Sequence, residues 1–238
     1  MSITEGVLRY GGSPWQRVDM YRAAAREDGP RIVLVHGGFW RHDRTARDLE
    51  PLAVAMARRG CQVAVVEYRP VWDGGTWPGV AEDATAALDT LVHDDKEWAN
   101  GRFVAHSAGA HVLLSGLAGR AGGHRVVLLA PVVDVALAAA RGLGDGAAAA
   151  LTVAHVRKGG AVGDATPRLG PADVSMMDVV VADEDQAVPL DVVTTQVAAW
   201  TAAGLPVQVR DMAGTGHMHL VNPQRPAGAE IVASLAAV

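Results

Sequence analysis

The feature that most constrains this chain is a series of six short apolar runs that do not alternate with polar residues: 31–35, 62–66, 102–105, 125–129, 177–181 and 206–210. A strand with one face in water alternates apolar and polar side chains, whereas a strand covered on both faces is apolar throughout. Between the runs lie Ala-rich stretches with helical spacing, at about 45–59, 80–93, 108–121, 189–203 and 227–236. Gly60 and Gly204 follow two of them as helix stops. Strand, helix, strand, helix predicts an α/β protein with a mostly parallel sheet and helices on both faces. Two earlier segments, near 6–10 and 17–22, are expected to add antiparallel edge strands. The stretch 142–172 is Gly-rich with a weak helical patch at 147–156, and reads as an irregular excursion that could form a small lid.

The length of 238 residues suffices for a large core but does not by itself separate one domain from two. Net charge is −5, from 21 basic and 26 acidic residues, which disfavours a nucleic-acid partner. Cys61 is the single cysteine, so neither an internal disulfide nor a cysteine metal site is available. The N-terminus lacks a basic segment followed by an apolar one. The longest apolar stretch, 126–140, is interrupted by Pro131 and Asp134 and is too short to span a bilayer. The expectation is a soluble, cytoplasmic protein without a membrane partner.

Four segments that each follow an apolar run carry chemistry. His36-Gly37-Gly38-Phe39-Trp40 follows the first; its glycines let backbone N–H groups point outward, as an oxyanion requires, or simply make a tight turn. Ala105-His106-Ser107-Ala108-Gly109 resembles the G-x-S-x-G nucleophile turn with alanine in the first position; a plain helix N-cap is the other reading of Ser107. Asp183-Glu184-Asp185 crowds three acids before Val188-Pro189, either as a catalytic carboxylate or as charge favouring the next helix. Gly214-Thr215-Gly216-His217-Met218-His219 supplies two imidazoles on a glycine loop, which also leaves a two-histidine metal reading open.

The order of the four is more informative than any one of them. Each stands at the strand end where open parallel sheets place their sites. They run oxyanion loop, serine, acid, histidine, with 78 residues from Ser107 to Asp185 and 32 from Asp185 to His217. Ser…Asp…His differs from the other two common serine-triad orders. Over about 31–221 the sequence resembles the α/β-hydrolase superfamily. Within it, the sequence is similar to the kynurenine formamidase-like and small carboxylesterase branch with His-Gly-Gly-x-Trp. Glu67-Tyr68-Arg69-Pro70, Thr76-Trp77-Pro78 with Glu82-Asp83, and His-Ser-Ala-Gly-Ala-His at 106–111 also match that branch.

The resemblance implies an α/β-hydrolase fold with a minimal cap and an ester or aryl formamide hydrolase acting through an acyl-enzyme. Ser107 is then the nucleophile and His217 the base, with His219 as runner-up. Asp185 orients the imidazole and is preferred to Asp183 by its place before Val188-Pro189. The N–H groups of Gly38, Phe39 and Ala108 form the oxyanion hole. Trp40 and Trp77, with Trp72 nearby, are expected to touch substrate, while His36 braces the loop. His106 is expected to point away from the site and His111 to be structural. No cofactor or metal is expected. The partner is a small-molecule ester or amide, and a homodimer stays open. The spread of these residues from 36 to 217 argues for a single domain over 1–238 with a fairly open site. A non-catalytic or ligand-binding member of the fold is the competing reading.

Overall fold

The computed structural model describes residues 3–23 and 29–237. Its strands are β1 (Ile3–Arg9), β2 (Arg17–Ala23), β3 (Arg31–Val35), β4 (Gln62–Val66), β5 (Arg102–His106), β6 (His124–Leu129), β7 (Val174–Ala182) and β8 (Val207–Met212). Its helices are α1 (Glu50–Arg58), α2 (Gly79–Asp94), α3 (Gly109–Leu117), α4 (Val135–Ala140), α5 (Ala147–Arg157), α6 (Leu190–Ala202) and α7 (Pro226–Ala236). All eight strands join one sheet in the order β1-β2-β4-β3-β5-β6-β7-β8. β3 to β8 are parallel; β1 and β2 pair antiparallel with each other and β2 pairs antiparallel with β4.

Successive side chains of a strand point to opposite faces, and this sheet buries both sets. Val33, Val35, Ala64 and Val66 face α2 and α3. Ile32, Leu34, Val63 and Val65 face α1 and α7. That is why the runs are apolar without alternation. Burying each such Val, Ile or Leu contributes about 1.5–3 kcal/mol. On the first face α2 and α3 cross closely, because a Cβ at Gly116 would lie 2.9 Å from the Ala84 Cβ.

The excursion is an ordered, packed segment. α5 sits where the weak helical patch lies, and the Leu151 carbonyl accepts the Trp77 N–H at 2.7 Å. A short turn of 3-10 helix, Val162–Ala165, follows. α4 was not foreseen. Asp134 starts it by accepting the Leu137 N–H at 2.9 Å, the usual N-cap bond. Among the described residues no helix is long and apolar enough to cross a membrane.

Candidate active site

β5 ends in a sharp turn. Ser107 has φ +54°, a left-handed conformation that costs a non-glycine residue about 1–3 kcal/mol and persists only where neighbours enforce it. Here the Ser107 N–H donates to the Leu129 carbonyl at 2.9 Å, and its carbonyl accepts the Val132 N–H at 3.0 Å. A Cβ at Gly109 would lie 2.4 Å from the His36 and Val35 carbonyl oxygens, so only glycine lets α3 start this close to β3. Ala105 is fully buried in the core, which accommodates its methyl group.

The loop after β3 turns through three left-handed residues, Gly38 (φ +97°), Phe39 (+50°) and Trp40 (+55°). It approaches the serine directly, since a Cβ at Gly37 would lie 2.6 Å from the Ser107 Cβ. The N–H groups of Gly38, Phe39 and Ala108 donate to no described residue. Trp40 corrects an expectation. Its ring is buried at 0% exposure and donates its N–H to His111 Nδ1 at 3.1 Å, so it anchors the loop and has no surface for substrate. The run of left-handed residues turns it inward. Trp77 keeps part of its surface on a hollow of about 250 Å³ that it shares with Arg69, His155 and Lys158, and Trp72 is exposed.

The loop after β7 brings in the acids and separates their tasks. Asp185 Oδ2 meets His217 Nδ1 at 2.6 Å. Its Oδ1 accepts the Ala187 and Val188 N–H groups, both at 2.8 Å. Burial pushes this carboxyl up, but the bonds from His217, Val188 and Ala187 outweigh it and hold the group below the usual carboxylate range. Asp183 instead accepts the Thr215 N–H at 2.9 Å and staples the β7 loop to the β8 loop. His219 accepts the Gly216 N–H on its Nδ1 at 3.1 Å, which caps the 3-10 turn His217–Val221 and turns this ring away from Asp185.

His106 does not point away, as the sequence suggested. Its Nε2 lies 3.3 Å from the His217 carbonyl, and the two rings are 4.4 Å apart. Burial, helped by the neighbouring His217, lowers its pKa to about 3, so at neutral pH it is an uncharged donor that holds the His217 backbone. His217 thus lies against the residue preceding Ser107. Ser107 Oγ makes no hydrogen bond to a described residue, and serine–histidine bonds are often long without substrate. Ser107 is only 1% exposed, in contrast to the open site expected. The excursion presses on the neighbouring loop: Gly144 packs against Phe39, and Arg41 pairs with Asp145 at 3.3 Å.

Residue types alone did not single out a buried network behind the glycine loop. His36 and Glu67 pair at 2.8 Å, with side chains 2% and 1% exposed. Glu67 Oε2 also accepts from Arg17 at 3.3 Å and from the Ala46 N–H at 3.0 Å. The register could have found the pair, because Val35 lies beside Val66 and His36 and Glu67 each stand one residue further on. Arg69 in turn holds the buried Asp83, joining two segments that carried the family resemblance.

An eight-stranded, mostly parallel sheet with a strained serine after β5 and an Asp–His pair from the loops after β7 and β8 defines the α/β-hydrolase fold. The BD-FAE family model matches residues 18–135. Among solved structures the chain resembles esterase B from Lactobacillus rhamnosis, with 17% identity and a TM-score of 0.79, over 98% of this chain and 84% of that one. It also resembles carboxyl esterase 2 from Tuber melanosporum, with 19% identity and a TM-score of 0.75, over 99% and 86%. A truncated carbohydrate esterase from gut microbiota matches with 14% identity and a TM-score of 0.75, over 99% and 95%. No curated protein matches the sequence. These likenesses show that the chain has the α/β-hydrolase fold.

Proposed function

We propose that this protein is a serine hydrolase of small carboxylic esters. The observation that carries the reading is the Asp185–His217 hydrogen bond at 2.6 Å, formed beside the strained turn that presents Ser107. In the proposed reaction Ser107 Oγ attacks the ester carbonyl while His217 Nε2 takes its proton. Asp185 holds Nδ1–H and so fixes the tautomer that leaves Nε2 free to accept. Charge developing on the carbonyl oxygen is met by the N–H groups of Gly38, Phe39 and Ala108, each worth about 3–4 kcal/mol in the transition state. The tetrahedral intermediate collapses as the C–O bond breaks and His217 protonates the departing alkoxide. Water, activated by the same imidazole, then releases the acid.

The esterase likenesses in fold support this reading. The slight exposure of Ser107 favours a short acyl group. The same argument admits an aryl formamide, whose acyl group is the smallest of all, and Trp77 and Trp72 are the candidate tryptophans that keep surface to meet an aromatic leaving group. Parallel turnover of p-nitrophenyl acetate and N-formylkynurenine, with Ser107→Ala as control, tests both. Turnover retained by S107A sinks the mechanism. Failure of a fluorophosphonate probe to label Ser107 favours the non-catalytic reading.

A further inference from the structure

The proposed oxyanion donors are useful only if their peptide planes face the serine, and something must hold those planes. In a trans peptide the C=O of one residue and the N–H of the next point in opposite directions. The orientation of the Gly38 N–H is therefore set by whatever grips the Gly37 carbonyl. Two donors do so: His36 Nδ1 at 2.9 Å and the Tyr68 hydroxyl at 3.3 Å. The same hydroxyl lies 3.0 Å from the His36 carbonyl, so its single hydrogen is shared between the two carbonyls. Both grips are buried, and burial keeps the Tyr68 phenol protonated by pushing it well above its ordinary range.

The ring of His36 is held on one face and at both nitrogens. It stacks on Tyr68 with centroids 4.5 Å apart and an interplanar angle of 13°. A carbonyl can only accept, so Nδ1 carries its hydrogen. Nε2 then faces Glu67 Oε1, and one proton lies between them. Glu67 is itself held by Arg17 and the Ala46 N–H, and Arg17 is balanced by Asp19 at 3.0 Å.

We propose that His36, held by Glu67 against Tyr68, is a positioning residue that locks the 37–38 peptide with the Gly38 N–H facing Ser107. This rests on the reading of Gly38 as an oxyanion donor. It assigns a task to Glu67 and Tyr68 as well. Glu67 keeps the imidazole upright, and Tyr68 supplies the second grip.

Two substitutions separate this role from plain support of the loop. Asn at 36 places an amide N–H where Nδ1 stood, and Gln places one where Nε2 stood. H36N therefore keeps the bond to the Gly37 carbonyl, and H36Q keeps only the bond to Glu67. The expected kcat of H36N on p-nitrophenyl acetate is about tenfold or more above that of H36Q, with KM nearly equal in the two, because a lost oxyanion donor lowers kcat by up to about 10²–10³. Equal kcat values, the reverse order, or a difference confined to KM overturns the inference. Crystal structures of both variants read the peptide directly. H36Q is expected to show the Gly37 carbonyl rotated away from Tyr68, and H36N to retain it. The same orientation in both overturns the inference even if the chain hydrolyses no ester. An inactive wild type unlabelled by fluorophosphonate would instead count against the proposed function and leave the peptide orientation to decide. Should neither His36 variant fold, Tyr68→Phe removes one grip while keeping the stacked ring. A lower kcat at unchanged KM is then expected, and an unchanged kcat overturns the inference.

Discussion

Around the 36–40 loop the contacts are buried and mostly distant in sequence: His36 with Glu67, Trp40 with His111, Glu67 with Arg17. Around Asp185 and His217, bonds that reach across the loops (Asp185 with His217, Asp183 with Thr215, His106 with the His217 carbonyl) are joined by local caps closer to water: Asp185 with the N–H groups of Ala187 and Val188, and His219 with that of Gly216. The first region holds backbone donors whose aim should not change during a reaction. The second holds the imidazole proposed to take and return a proton, and its carboxylate is seated by a two-residue loop cap. Rigidity is concentrated where dipoles must be preorganised, and short-range caps serve where one ring must be steered.

The largest effects should come from breaking the chemistry common to both regions. Ser107→Ala is expected to lower kcat by about 10⁵–10⁶-fold with the fold intact, measured by ester turnover and circular dichroism. On the acid–base side, Asp185→Asn should cost about 10⁴-fold through the wrong tautomer. Asp183→Asn only loosens a loop staple and should cost less than about tenfold. Comparable losses from the two variants would erase the division of labour between the acids. Likewise His217→Ala should abolish turnover and His219→Ala should not; the opposite result would move the base to His219.

A smaller effect sharpens the contrast in burial. His106 and His111 are held neutral, with pKa values lowered by burial to about 3 and about 4. In the unfolded chain each takes up a proton near pH 6.5, while in the folded protein it does not. The unfolded state thus binds more protons, and stability falls as the pH drops from about 6.5 toward 4. Each histidine adds a slope of about 1.4 kcal/mol per pH unit in that window. His106→Gln should remove one such slope, as read by chemical denaturation across pH. An unchanged slope would show that His106 is not buried neutral. Smallest of all, Trp40→Phe leaves His111 Nδ1 without its donor and should lower stability by about 1–3 kcal/mol. KM should not change, since the ring is out of substrate's reach. A raised KM would restore Trp40 as a substrate contact.

The central sheet was legible because two-faced burial leaves a plain mark: 31–35 and 62–66 coincide with β3 and β4. β7 begins earlier than its apolar run because Ser175, near the strand start, is exposed and breaks the pattern. Of the edge strands, β2 falls within a residue of its expected place, while β1 starts earlier than its segment because its described positions are exposed or half-buried and leave no apolar run. In the site, the places of Ser107, Asp185 and His217 could be read from strand-end position and order. What His106, Trp40 and Glu67 do could not. Each acts through a contact far away in sequence: with His217, with His111 and with His36 respectively. Such contacts are set by strand register and by left-handed turns, which composition and spacing do not encode.

The Arg17–Glu67 bond carries a consequence for sequence comparison. A buried carboxylate stripped of its cation is costly, so Arg17, His36 and Glu67 form a unit that should change together. A relative that lacks the β1–β2 hairpin, and with it Arg17, should carry an uncharged residue where this chain has Glu67. It should then need a different device to seat the imidazole at position 36. Covariation of these three positions, 50 residues apart at the extremes, is therefore a signature to look for among homologues, and it ties the edge of the sheet to the centre of the reaction.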